Sequence, residues 1–143
     1  MIRAVLDANV LAAGFPAIRG PLSDTIRMWR LRSFTLIYSE HLLQELIGVW
    51  NKPYWLERLD DAFRESSLEM IESNGVLVEP MPGVSNVATH WQDDIVIATA
   101  LAADAEYLVT GDKELLRLKS YRTVKIVSPP EFLEILRAED DSI

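Results

Sequence analysis

The sequence predicts an α/β fold, a parallel sheet with helices on both faces, and three observations carry that expectation. Short apolar or β-branched runs alternate with stretches of helical periodicity, the order that builds parallel sheets. The chain has 143 residues, of which 49% are hydrophobic, enough for one domain with a sizeable core and little more. Two of the strand-like runs end on an acid: Asp7 in Val5-Leu-Asp-Ala-Asn9, and Asp112 in Val109-Thr-Gly-Asp112. In a parallel sheet both carboxylates stand at the carboxyl edge, where open α/β sheets build their sites.

Residues 2–6 form the first predicted strand, short and apolar. Gly14, Pro16, Gly20 and Pro21 mark a loop, after which Leu22, Ile26 and Trp29 recur at helical spacing. Residues 34–38 are the second strand, and Ser39 is the N-cap of a helix reaching residue 50 or so. Pro53 opens the next helix, whose apolar positions Leu56, Leu59, Phe63 and Met70 lead to the stop signal Asn74-Gly75. Residues 76–78 are the third strand, and Pro80, Pro82 and Gly83 make a loop. Asp93 or Asp94 then opens a helix through residue 103 that is apolar on nearly every face. Strands at 107–110 and 124–127, a short helix at 114–118 and a last helix from Ser128-Pro-Pro-Glu131 to Leu136 complete the order, with five strands in all. The domain is expected over residues 1–138, with a frayed acidic tail at 139–143.

Composition narrows the chemistry. There is no cysteine, which excludes disulfides, thiolate zinc sites and a cysteine nucleophile. The amino end starts on a strand-like run without a signal peptide's apolar stretch, and no segment approaches the ~18 apolar residues of a membrane span. A soluble cytoplasmic protein with no membrane partner is the expectation. The net charge of −8 opposes nucleic-acid binding if spread evenly. The bases are bunched, however: Lys113, Arg117, Lys119, Arg122 and Lys125 form one group, and Arg27, Arg30 and Arg32 another.

Four acids form the candidate site: Asp7, Glu45, Asp94 and Asp112. Any one strand-end Asp is most often a turn residue or an N-cap. Glu45 falls at the border of the apolar stripe Leu42, Leu46, Val49 and Trp50, so its charge is half-buried; the alternative is a snorkelling rim glutamate. Asp94 and its neighbour Asp93 start the apolar helix, where unpaired N–H groups and the helix dipole favour an ionised carboxylate; one is a cap and the other a ligand. Four converging carboxylates repel one another and resist desolvation unless a cation sits among them. His41, on the polar side of the Glu45 helix, and His90, in a loop, read as surface or packing residues. There is no phosphate-cradling glycine loop, zinc spacing or serine-centred elbow.

At these residues the chain resembles the PIN domain family of metal-dependent ribonucleases, and most of all its bacterial and archaeal toxins of toxin-antitoxin systems. The matching pieces are Val5-Leu-Asp7-Ala-Asn9-Val-Leu11, Ser39-Glu-His-Leu-Leu-Gln-Glu45-Leu with Lys52-Pro53, Asp93-Asp94 followed by Ile97-Ala-Thr-Ala-Leu-Ala-Ala103, and Tyr107-Leu-Val-Thr-Gly-Asp112-Lys-Glu-Leu-Leu116. They span most of the chain in the family's order.

The resemblance implies a three-layer PIN-like fold with a five-stranded parallel sheet, and a cleft in which Asp7, Glu45, Asp94 and Asp112 are catalytic and hold Mg²⁺ or Mn²⁺. Asn9 and Thr110 then orient Asp7 and Asp112, and Asp93 supports Asp94. Ala8 stands where the family usually has Thr, so one supporting hydroxyl is missing. An all-carboxylate oxygen site suits hard cations, and the implied reaction is phosphodiester hydrolysis in single-stranded or looped RNA. An antitoxin partner and a homodimer are implied by analogy. Lys113 and Arg117, four apart on a short helix, are the candidate RNA backbone clamp; an ordinary solvated face is the alternative. A non-catalytic PIN-like binding module is the competing class, although all four acids are retained. A haloacid-dehalogenase-like phosphatase would want an Asp where Asn9 stands, and a phosphorylated receiver would want one ending the third strand, where Val78 leads to Glu79-Pro80.

Overall fold

The first apolar run becomes β1 (Arg3–Leu6), buried from Ala4 onward, and pairs in parallel with β2 (Thr35–Tyr38) on one side and β4 (Tyr107–Val109) on the other. The structure is a computed structural model that describes residues 1–141. Beyond β2 lies β3 (Val76–Leu77), and beyond β4 lie β6 (Val124–Val127) and β5 (Ser120–Tyr121). The sheet order is thus β3-β2-β1-β4-β6-β5, with every pairing parallel except that of β5 with β6.

This corrects the expected five-stranded, wholly parallel sheet. The sixth strand belongs to a tight hairpin in which Tyr121 pairs with Val124 around Arg122 and Thr123. Arg122 adopts φ 52°, a conformation that such turns usually assign to Asn or Gly. Lys-Ser-Tyr-Arg-Thr therefore lacked the composition by which a hairpin is recognised.

The chain winds outward through β2 and β3 on one side of β1, then returns to the other side for β4 and β6. The β1/β4 boundary is consequently the point at which the winding reverses, the place where doubly wound sheets open a crevice at their carboxyl edge.

Eight helices are described. Asp7 caps α1 (Ala8–Gly14), which follows β1 with no loop between. Gly14 had marked a loop in the sequence; it ends α1, where a Cβ would lie 2.8 Å from the Ile26 side chain on α2 (Pro21–Arg30). Ser39 caps α3 (Glu40–Trp50) as predicted, its hydroxyl accepting from the Leu42 N–H at 3.3 Å. The single helix expected after Pro53 is two, α4 (Pro53–Leu56) and α5 (Asp61–Asn74). Asp60 caps α5 by accepting the Phe63 N–H at 2.8 Å, and that local bond overrode an apolar spacing that ran through the break. The stop at Gly75 stands because a Cβ there would meet the Ile71 carbonyl at 2.7 Å and the Tyr38 ring at 2.9 Å.

After β3 the chain crosses a long loop to α6 (Trp91–Ala102), which contacts β1, β2, β4 and β6. Its buried positions, Val96, Ile97, Ala98, Thr99, Ala100 and Leu101, surround the helix, as its all-round apolarity foretold. Then come α7 (Lys113–Arg117) after β4, and α8 (Pro129–Asp141) after β6. The last helix runs through Glu139 to Asp141, past the Leu136 at which the sequence ended it; the rest of the expected frayed tail, 142 and 143, lies outside the described residues. No helix among the described residues is long and apolar enough to cross a membrane.

Candidate metal centre

The site begins with strand register. Leu6 pairs with Val109, and the Asp7 N–H extends the ladder by donating to the Val109 carbonyl at 2.9 Å. Asp7 therefore stands beside Thr110, one residue beyond each strand. The Thr110 hydroxyl donates to Asp7 Oδ2 at 2.9 Å and accepts the Asp112 N–H at 3.1 Å. A hydroxyl is the one small group that can do both at once, so a fully buried threonine fixes the two acids relative to each other.

Asp7 and Asp112 both do what an ordinary capping acid does. Asp7 Oδ1 accepts the Ala8 N–H at 2.8 Å, and Asp112 Oδ1 accepts the Glu114 N–H at 2.9 Å at the start of α7. Capping and convergence are compatible here because both helices start at the same sheet edge.

Glu45 arrives from α3. Trp50, buried at the end of that helix, donates its indole N–H to the Ala12 carbonyl of α1 at 3.1 Å and stands edge-on to Phe15. That contact ties α3 to α1 and presents the half-buried Glu45 to Asp7, as the border position predicted. His41 Nε2 lies 2.5 Å from Glu45 Oε1. This pairing was missed because His41 was assigned to the polar side; its i, i+4 spacing from Glu45 was the available signal.

At α6 the structure separates the two adjacent aspartates. Asp94 is buried, and its Oδ1 accepts the N–H groups of Val87 at 3.2 Å and Ala88 at 2.7 Å. It pins the loop that precedes the helix. Asp93 is the one exposed to the charges of Asp7, Asp112 and Glu45. The expected ligand Asp94 thus has Oδ1 engaged by the loop backbone, while its expected support Asp93 is the neighbour whose carboxyl feels the other three acids. Sequence could not decide between neighbours that both begin a buried helix.

Electrostatics record the gathering. Burial raises the Asp7 carboxyl above its ordinary range; the Thr110 hydroxyl and the Ala8 N–H pull it back, and the charge of Asp112 pushes it further up. Glu45 is raised by burial, opposed by His41, and raised again by Asp7. Asp93 reaches about 6, first from desolvation and then from Asp7, Asp112 and Glu45, with His90 opposing. Asp7, Glu45 and Asp93 are thus held ionised against burial first and a neighbouring carboxylate's charge second.

Among the described residues, no three acids or histidines already stand in ligating geometry around one point. The donor set nevertheless fits a hard divalent cation: it is all oxygen apart from the nearby His41, and mutual repulsion is what a cation would relieve. Asn9 does not orient Asp7; it is exposed on α1, and the Asp7 oxygens are met by Ala8 and Thr110. Lys113 and Arg117 are exposed on α7, next to Asp112 in sequence, and make no ion pair among the described residues.

The PIN domain family model matches residues 3–114, which holds all of the acids described. Among solved structures, the chain is similar to PAE2754 from Pyrobaculum aerophilum, with 19% identity and a TM-score of 0.64 over 96% of this chain and 90% of that one. It is similar to VapBC2 from Rickettsia felis bound to a DNA fragment from their promoter, with 16% identity and a TM-score of 0.56 over 89% and 98%. FitAcB from Neisseria gonorrhoeae follows at 17% identity and a TM-score of 0.53 over 88% and 97%. At these identities the likeness is one of fold. No curated protein matches the sequence significantly. The match over residues 3–114 nonetheless spans most of the chain, which belongs to the PIN domain family.

Proposed function

We propose that this protein is a divalent-metal-dependent ribonuclease that hydrolyses phosphodiester bonds in single-stranded or looped RNA, and that it is the toxin of a toxin-antitoxin pair. The observation that carries the reading is the placement of Asp7 and Asp112 at the sheet's winding reversal, linked through the Thr110 hydroxyl, with Glu45 and Asp93 near enough for their carboxyls to feel Asp7. Those four residues are the proposed ligands of Mg²⁺ or Mn²⁺. When bound, such a cation supplies Lewis acidity toward water and toward a phosphoryl oxygen. Thr110 fixes the separation of Asp7 and Asp112, His41 orients Glu45, and Asp94 holds the loop that leads to Asp93. No side-chain nucleophile is required of the protein. Lys113 and Arg117 are the proposed contacts to the RNA backbone, as exposed cations on the helix that Asp112 caps.

The partner reading is supported by the fold likeness to VapBC2 and FitAcB together with the sequence resemblance to toxins. A cytoplasmic location, a single domain over residues 1–138 and a homodimer belong to the same proposal. If an adjacent reading frame encodes the antitoxin, its co-expression relieves growth arrest caused by this chain.

The enzymatic reading is tested by cleavage of a labelled single-stranded RNA with Mg²⁺ or Mn²⁺, alongside thermal unfolding. Wild type cleaves and a chelator stops it; Glu45→Gln folds normally, because its position is half-buried rather than core, and loses activity. A folded Glu45→Gln protein with wild-type rates would remove Glu45 from the chemistry.

A further inference from the structure

Trp91 opens α6 and is 64% exposed. An isolated exposed apolar residue is ordinarily unremarkable, but the surroundings of this one are specific. Its indole centroid lies 5.9 Å from the ring of His41, with the planes inclined by 53°, and His41 holds Glu45 at 2.5 Å. Asp93 follows two residues later. The preceding residue, His90, stands 3.9 Å from Glu114, itself two residues after Asp112. The indole is therefore set at the rim of the acid cluster, steadied by His41 on one side and open elsewhere.

We propose that Trp91 is a stacking platform for a base of single-stranded RNA next to the scissile phosphate, with His41 as its support. This rests on the ribonuclease reading and specifies how the substrate is held. A chain of net charge −8, with Asp7, Glu45, Asp93 and Asp112 gathered near the carboxyl edge of its sheet, repels phosphates there until a cation arrives. Stacking is indifferent to that charge, since every base offers a π face. It also selects for strands whose bases are free, because a duplex keeps its bases stacked on one another.

The test is fluorescence anisotropy of a labelled single-stranded 12-nucleotide RNA and of an abasic strand of equal length and charge, with Ca²⁺ replacing Mg²⁺ to suppress cleavage. Trp91→Phe keeps an aromatic face and Trp91→Leu keeps apolar bulk without one; thermal unfolding checks that both are folded. Trp91→Leu is expected to weaken RNA binding about ten- to a hundredfold, and Trp91→Phe by about threefold or less. The abasic strand binds all three proteins equally, and the loss on RNA is the same at low and high salt, as a phosphate contact would not allow. Wild-type affinity in Trp91→Leu, or an equal loss on the abasic strand, would overturn the stacking role. RNA cleavage by wild type in that case leaves the ribonuclease reading standing, whereas absence of both binding and cleavage removes both.

Discussion

The β1/β4 junction and the amino end of α6 both bring acids to the carboxyl edge of the sheet, by opposite means. At the junction, adjacent parallel strands fix Asp7 by register, and one buried hydroxyl spans Asp7 and the backbone of Asp112. At α6, Asp93 stands on the first turn of a helix reached through a long loop, and its position depends on Asp94 gripping Val87 and Ala88. The first side is continuous with the sheet's ladder through the Asp7 N–H, and the second is held by two hydrogen bonds to a loop. One set of acids is placed by strand register, the other by a side chain that grips its own preceding loop.

The largest expected contrast lies between the neighbours Asp93 and Asp94. Asp93→Ala should fold with unchanged or higher stability in metal-free buffer and lose cleavage by at least about a hundredfold. Asp94→Ala leaves two N–H groups without their charged acceptor and should lower stability by about 2–3 kcal/mol, read by denaturant unfolding. The opposite pattern, stability falling with Asp93 and cleavage alone falling with Asp94, would reverse the two roles.

Next in size is the β1/β4 side. Thr110→Val keeps the shape of the side chain but removes both hydrogen bonds, and should reduce metal affinity or activity by about ten- to a hundredfold. If the effect is under about twofold, the strands alone position Asp7 and Asp112.

The smallest effect is in the pH dependence. The native carboxyl of Asp93 titrates at about 6, above its ordinary value of 3.8. The native state therefore holds this proton more tightly than the unfolded chain does, and its contribution to stability, present at low pH, declines as pH rises from about 4 to 6. Metal-free Asp93→Asn should show a shallower decline over that window than wild type, by thermal unfolding. Identical profiles would mean that neither burial nor the charges of Asp7, Asp112 and Glu45 raises the Asp93 carboxyl.

Much of this was legible in the sequence, and the misses have local causes. Asp7 and Asp112 could be read because an acid after a β-branched run has few places to go in a parallel sheet. Glu45 could be read from its angle on the helix. Apolar periodicity was blind to the break at Asp60, where one capping bond decided the matter, and to the β5/β6 hairpin, whose turn places Arg122 at positive φ. That Asp94 rather than Asp93 meets the loop six or seven residues back in the chain has no composition signal. A lone histidine carries little signal by itself, and only the i, i+4 spacing of His41 from Glu45 points to their pairing.

The central claim is that Asp7, Glu45, Asp93 and Asp112 hold a divalent cation, and calorimetric titration of Mn²⁺ into metal-free protein tests it most directly. Wild type should bind Mn²⁺ saturably, while Asp7→Asn, which keeps the side chain's shape and one of its two acceptor oxygens but removes its charge, should bind at least about tenfold more weakly. Equal affinity in the two proteins, both folded, would contradict the account.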